Sequence, residues 1–242
     1  MARAAAFRRD PLPARRKRAP GAKTGRRAPT RHIENCWRNA GRVARGAGLC
    51  YHGRMPTGSP RILLFSDAHG VHTALRALRA RVEADAPDVV CFLGDALYNG
   101  PRNGVPGRYD PQLAADEFNA LAERIVAVRG NCDSEVDQCM LAFPCLGPCA
   151  TVLVGDVRLF LSHGHLWGPS AGLPPLPAGT IVATGHTHVP AAERAGGAWC
   201  VNPGSISLPK GGSEPSYALL DGRVLELRRL ADGEPWRTVP LA

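Results

Sequence analysis

The chain reads as an α/β protein made of two packed, mixed β-sheets flanked by helices, and three observations predict it. Residues 61–128 alternate apolar runs of strand length with amphipathic stretches of helical spacing, the pattern of a parallel βαβ unit. Residues 151–227 instead show short alternating runs joined by tight glycine turns, the pattern of antiparallel or mixed β structure. Five of the apolar runs, moreover, end in a small residue followed by a carboxylate, a carboxamide or an imidazole.

The first strand is the run Ile62, Leu63, Leu64, Phe65, which Gly70 can terminate. Between them stand Asp67 and His69. In a backbone still extended there, residues two apart project to one side and can meet one cation. Residues 72–84 place Leu75, Leu78 and Val82 at helical spacing between arginines, a helix laid on a sheet. Residues 88–93 are a second buried strand that ends in Gly94 and Asp95, and the right-handed crossover sets Asp95 beside Asp67. A loop rich in Gly, Pro and Asn follows over 99–106, then a helix over 112–123, then a strand over 125–128 leading to Gly130 and Asn131.

Residues 151–154 and 157–162 are predicted to pair across Gly155-Asp156, a two-residue turn with glycine first, and the second of them delivers His163-Gly164-His165. A proline-rich loop leads to a strand over 180–184, which runs into Gly185-His186-Thr187-His188. Another strand covers 198–201, and a hairpin pairs 217–220 with 223–227 across Asp221-Gly222.

Charge divides the chain. The formal net charge is +9, yet residues 1–60 hold 15 Lys or Arg against only Asp10 and Glu34, so the remainder is mildly acidic. This leader is dense in Arg, Ala, Gly and Pro and offers little apolar surface to offset its ordering entropy, so a disordered segment is expected. It is either an electrostatic arm for nucleic acid or a stretch upstream of the true start, for which Met55 is the expected position. The working domain is expected over 61–242. Eight scattered cysteines without a Cys-x-x-Cys pair indicate a reducing compartment, and no apolar stretch approaches membrane-spanning length. A cytoplasmic protein with no membrane partner is expected.

Taken together the strand ends supply Asp67, His69, Asp95, Asn131, His163, His186 and His188. Each alone is an ordinary turn or surface residue. Their recurrence after successive buried strands is what points to metal. Seven groups exceed one tetrahedral site, but with Asp95 shared they give four ligands to each of two ions. Nitrogen and oxygen donors without thiolate favour borderline divalent ions over magnesium, manganese first, with zinc, iron or cobalt as the alternatives.

Ser-Asp-Ala-His-Gly, Leu-Gly-Asp, Arg-Gly-Asn-Cys-Asp, His-Gly-His and Gly-His-Thr-His, in this order, resemble the motif set of calcineurin-like metallophosphoesterases. Gly-Pro-Arg-Asn at 100–103, the stretch 129–137 and Asn-Pro-Gly-Ser-Ile-Ser-Leu-Pro-Lys-Gly-Gly at 202–212 are similar to its small bacterial YfcE-type branch. The resemblance covers residue 61 onward. It implies a four-layer α-β-β-α sandwich, the metallo-dependent phosphatase fold, with a dinuclear site at one edge. It assigns Asp67, His69, Asp95 and His188 to one ion and Asp95, Asn131, His163 and His186 to the other. It further implies hydrolysis of a small phosphodiester by solvent bridging two divalent ions.

Cys132 occupies the position where most of the superfamily has a catalytic histidine, so esters whose leaving group needs little protonation are expected substrates. Arg102, Arg129, His165 and Lys210 are candidates for holding substrate, and the loops 99–110 and 166–178 for shaping its pocket. The competing readings are a phosphomonoesterase or nucleotidase of the same superfamily and a non-catalytic scaffold on the same fold. Both histidines of residues 185–188 favour the enzyme over the scaffold. A homo-oligomer is compatible with the sequence.

Overall fold

The computed structural model describes residues 59–195 and 197–241. The basic leader up to residue 58, the Met55 start, Cys36 and Cys50 lie outside these residues. In chain order the elements are β1 (Arg61–Phe65), α1 (His72–Asp85), β2 (Val89–Phe92), α2 (Pro111–Asn119), β3 (Ile125–Ala127) and α3 (Glu135–Met140). They continue with β4 (Cys149–Val154), β5 (Val157–Ser162), β6 (Ile181–Ala183), β7 (Ala191–Ala195), β8 (Ala198–Asn202), β9 (Ser216–Asp221), β10 (Val224–Arg229) and β11 (Pro235–Pro240).

Two mixed sheets result. One runs β11-β10-β9-β1-β2-β3, with β1, β2 and β3 parallel and β9 to β11 antiparallel. The other runs β4-β5-β6-β8-β7, with β5, β6 and β8 parallel. Their facing sides form the central core, where Ile62, Leu64, Val89 and Cys91 meet Leu159, Leu161, Ile181 and Ala183. The alternate residues Leu63, Phe65, Val90 and Phe92 face the helices and pack on Leu75, Leu78, Val82 and Phe118. The Phe118 ring centroid lies 4.8 Å from that of Phe92. Burial on both faces is why these parallel strands read as unbroken apolar runs. On the outer face of the second sheet, Phe160, Val182 and Cys200 lie under Trp167, Leu173 and Leu176.

Several expected boundaries move for identifiable reasons. Helix α2 stops at Asn119 rather than reaching residue 123. The Asn119 amide donates to the Met140 carbonyl (2.9 Å) and accepts from the Ala142 amide (2.7 Å), while the chain beyond tightens to bonds such as Leu121 N–H to Phe118 O. In the β9–β10 hairpin, Asp221 pairs with Val224, so the turn is Gly222-Arg223, shifted by one from the expected Asp221-Gly222. Glycine thereby takes the first turn position at φ +57, and Asp221 stays in the strand, where it pairs with Arg61 at 3.1 Å. The β4–β5 turn follows expectation, with Gly155 at φ +59.

Three elements carry too weak a pattern to be read in advance. Strand β7 is Ala-Ala-Glu-Arg-Ala, poor in β-formers. Strand β11 is bracketed by prolines, tolerated because it is the sheet edge. Helix α3 has six residues and depends on a capping box between Ser134 and Asp137.

Candidate metal centre

The backbone that presents the first two ligand candidates is not extended. Strand β1 ends at Phe65, and Asp67 and His69 sit at φ +56 and +45, in the left-handed region. The two side chains still converge, with His69 Nε2 3.8 Å from Asp67 Oδ1, but a tight turn brings them together rather than strand alternation. Asp95, His186 and His188 share this conformation, at φ +63, +69 and +61. Among the described residues, five of the seven non-glycine positions with positive φ are therefore expected ligands. Each costs about 1–2 kcal/mol, a concentration of strain that marks a working site.

The loops interlock to hold that strain. The Asp67 amide donates to Gly94 O, and those of Ala68 and His69 both donate to Asp95 O, each at 3.0 Å. Glycine is required where the strand ends press together. A Cβ on Gly130 would stand 2.1 Å from Asp95 Oδ1, and one on Gly185 would stand 1.9 Å from Ser66 Oγ.

Three imidazoles have their tautomer set by the fold. His69 Nδ1 contacts Tyr98 O at 2.8 Å, His163 Nδ1 contacts Leu93 O at 2.7 Å, and His188 Nδ1 contacts Leu208 O at 2.6 Å. A carbonyl oxygen only accepts, so each Nδ1 carries a proton and each ring turns its Nε2 inward, bare when the ring is neutral. His69 Nε2 and His188 Nε2 face each other at 3.3 Å, and His188 Nε2 lies 3.3 Å from Asp67 Oδ1. That oxygen is buried and has no hydrogen-bond partner. On the other side of Asp95, His163 Nε2 lies 3.0 Å from Asn131 Oδ1 and 3.5 Å from Asp95 Oδ2. Acceptors thus crowd acceptors in a buried space, an arrangement that a cation satisfies and a proton satisfies only in part. The donor set therefore fits divalent metal.

Two overlapping groups, Asp67-His69-His188 and Asp67-Asp95-His163, each bring their donor atoms within 4.8 Å of one another. His186 is adjacent, its ring centroid 5.1 Å from that of His163, but its ring nitrogens enter neither group; its backbone N–H donates to Asp67 Oδ2 at 3.1 Å. A third group, His69-Asp95-Cys132, adds a sulfur that the sequence reading of a thiolate-free shell did not foresee.

Charge in the ion-free pocket follows from this crowding. Burial alone would lower His163, but the carboxylates of Asp95 and Asp67 lift it to about 9. Burial would raise Asp95, and the contact with His163 overrides it and holds the carboxyl well below the usual range. Burial lowers His69, His165 and His186. The Cys132 thiol is pushed up to about 12, first by burial and then by the Asp95 charge.

Supporting residues explain motif positions that are not ligands. Asp133 accepts from the backbone N–H groups of Asp95 (3.0 Å), Ala96 (2.7 Å) and Gly130 (2.7 Å), tying the ends of β2 and β3 together. The hydroxyls of Ser205 and Ser207 both donate to Asp67 O at 2.8 Å, and Asn202 donates to Gly185 O at 2.7 Å. The 202–208 stretch is thus a buttress for the loops that carry Asp67 and His186. Its hydroxyl and amide residues were the available signal, but only the fold shows what they touch.

A cavity of about 780 Å³ opens over the cluster, lined by His69, Asp95, Cys132, His186, Arg102 and Lys210 among others. Of the substrate-holding candidates, Arg102 and Lys210 reach this lining. Arg129 and His165 do not; Arg129 Nε donates to Asp133 O at 3.2 Å, and the His165 ring centroid lies 5.4 Å from that of His163 and 6.1 Å from that of His186. The loop at 100–103 contributes to the wall as expected. Residues 166–178 contribute nothing to it, because Trp167, Leu173 and Leu176 are spent covering the second sheet.

Residues 61–223 match the family model described as the calcineurin-like phosphoesterase superfamily domain. The chain belongs to this superfamily. It is accordingly a hydrolase of phosphoric esters. It is 44% identical to phosphodiesterase YfcE of Escherichia coli strain K12 over 172 residues, 71% of this chain and 93% of the relative. The solved structure of E. coli YfcE, titled a phosphoesterase, superposes with a TM-score of 0.72 at 41% identity, covering 75% of this chain and all of that one. Vacuolar protein sorting 29 from Cryptosporidium parvum, at 20% identity and a TM-score of 0.51, covers 75% of this chain and 96% of its own and shares the fold.

Proposed function

We propose that the chain hydrolyses small phosphodiesters with two divalent ions, manganese first among them, held by Asp67, His69, Asp95, Asn131, His163, His186 and His188. The observation that carries this reading is the convergence of the partnerless Asp67 Oδ1 with the inward Nε2 atoms of His69, His163 and His188, each of whose Nδ1 protons is committed to a backbone carbonyl. The name and 44% identity of YfcE support a diester as the substrate. When bound, divalent ions supply the charge that activates water and clamps a phosphoryl group.

The chain's own residues set the rest. Asp95, whose Oδ1 accepts the Cys132 N–H at 2.8 Å and whose Oδ2 lies near both His69 and His163, serves both halves of the centre. Arg102 and Lys210, on the cavity wall, attract the anionic ester. Cys132 in place of an imidazole leaves the departing oxygen without a ready proton, which favours aryl esters.

The test is a manganese-reconstituted panel comparing an aryl phosphodiester, an alkyl phosphodiester and the aryl monoester. Faster turnover of the aryl diester than of either other ester is expected. A preference for the monoester would make the protein a phosphomonoesterase instead, and inactivity on all three despite bound metal would favour a scaffold. Six free thiols among the described residues, and no described helix long and apolar enough to cross a membrane, support a reducing cytoplasmic setting. The basic leader remains the proposed route to any nucleic-acid partner. Intact mass of protein from its native source decides between Met1 and Met55, and sedimentation decides whether it self-associates.

A further inference from the structure

The wall of the cavity holds a donor that the proposed centre does not use. Cys132 Sγ, a ring nitrogen of His69 and an Asp95 carboxylate oxygen all lie within 4.8 Å of one another. Donors on a tetrahedral ion with bonds of about 2.0–2.3 Å stand about 3.3–3.8 Å apart, so side-chain shifts of roughly an ångström close the set. Three features keep the sulfur there. The Cys132 backbone N–H donates to Asp95 Oδ1 at 2.8 Å, so the cysteine and the carboxylate are anchored together. Gly100 packs over the thiol so closely that a Cβ on it would stand 3.2 Å from Sγ. The Asn131 amide group donates to Sγ at 3.2 Å, an outer contact suited to a sulfur carrying negative charge.

We propose that His69, Asp95 and Cys132 form a second, sulfur-bearing ligand set at the rim of the centre, selective for thiophilic divalent ions such as zinc or cadmium. Thiolate ligands select such ions, whereas manganese and magnesium prefer oxygen. Ligation exchanges the thiol proton, released to solvent, for a metal–sulfur bond. No electrons move. Because the set shares His69 and Asp95 with the oxygen- and nitrogen-only shell, the two modes compete, and the identity of the ion decides which shell forms. The inference rests on the proposed ligand roles of those two residues but not on the proposed substrate.

The test uses the intact protein loaded with cobalt(II) and read by absorption. The wild type should show both visible ligand-field bands and an ultraviolet sulfur-to-cobalt charge-transfer band. Cys132→Ser should keep the ligand-field bands and lose the charge-transfer band, with circular dichroism confirming that it is folded. In parallel, cadmium affinity should fall at least about tenfold in Cys132→Ser while manganese affinity holds, tenfold being the smaller loss seen when even an outer partner of a ligand is removed. A charge-transfer band that survives in Cys132→Ser would overturn the proposal, by assigning the sulfur to another cysteine. Ligand-field bands without any charge-transfer band in the wild type would overturn it too, while leaving the oxygen and nitrogen centre intact. Absence of cobalt binding in both proteins would overturn it together with the centre it shares.

Discussion

Asp85 and Asp67 are both buried aspartates, and the fold treats them in opposite ways. Asp85, at the end of α1, accepts the Tyr217 hydroxyl on Oδ2 and the Arg228 guanidinium on Oδ1, each at 2.7 Å. Both oxygens are matched by protein donors, so the charge is closed on itself. Asp67 Oδ1 has no partner, and its nearest neighbours are the inward nitrogens of His188 and His69, which in their neutral form are acceptors too. One carboxylate completes the structure; the other is left for something that arrives. Burial alone does not separate a structural acid from a functional one, because the partner inventory does.

The comparison can be broken most forcefully at Asp95, the carboxylate that both halves of the proposed centre would share. Asp95→Ala should lower phosphodiesterase turnover by about 10³-fold or more, the equivalent of roughly 4 kcal/mol of lost charge stabilisation, as read by steady-state kinetics. Asp85→Ala should do the reverse. It strands the Tyr217 hydroxyl and weakens the hold on Arg228, so chemical denaturation should show a loss of roughly 3 kcal/mol with turnover per folded molecule retained. Metal sharpens the contrast. Manganese at a hundred times its Kd should stabilise the wild type and Asp85→Ala by about 2.7 kcal/mol for each ion bound, while Asp95→Ala should show little of that increment.

Asp133 lies between the two extremes, a buried carboxylate satisfied by backbone N–H groups whose task is to position Asp95. Asp133→Ala should weaken manganese binding by about 10–100-fold, measured by titration calorimetry, with the fold retained by circular dichroism. Tyr217→Phe should cost the least, about 1 kcal/mol of stability and no turnover, since it removes one hydrogen bond from the closed network.

The open network should also titrate where the closed one does not. Without metal, His163 is raised to about 9 and Asp95 is depressed, so the pair is ion-paired across the neutral range. A raised folded pKa stabilises fully below the unfolded value near 6.5, so stability of the ion-free protein should fall as pH climbs through about 9. Metal must displace that proton, so manganese affinity should rise over the same interval, and bound metal should remove the decline in stability.

The residues that converge at the candidate centre were legible in the sequence, because apolar strands announced their ends and Asp, Asn or His followed each one. The manner of their presentation was not. Period-two reasoning sent Asp67 and His69 to one side of an extended strand, whereas left-handed turns deliver them, and no composition signal marks a non-glycine residue for positive φ. The two-sheet architecture was readable from the apolar runs, while β7 and β11 were not, since edge strands need neither strong β-formers nor a buried face. The roles of Asp133, Ser205 and Ser207 were hidden for a different reason. Their partners are backbone groups of distant loops, which only the completed topology brings near. The 166–178 loop misled because length and proline content do not reveal which face a loop will cover.

The central claim is that the crowded acceptors on either side of Asp95 are the two halves of one metal centre. Anomalous diffraction from crystals of the manganese-loaded protein tests it most directly. Two adjacent peaks should appear, one in contact with Asp67, His69 and His188 and the other with Asn131, His163 and His186, both touching Asp95. A fully loaded crystal with a single peak, or with His163 turned away from Asp95 and no peak beside it, would contradict the claim.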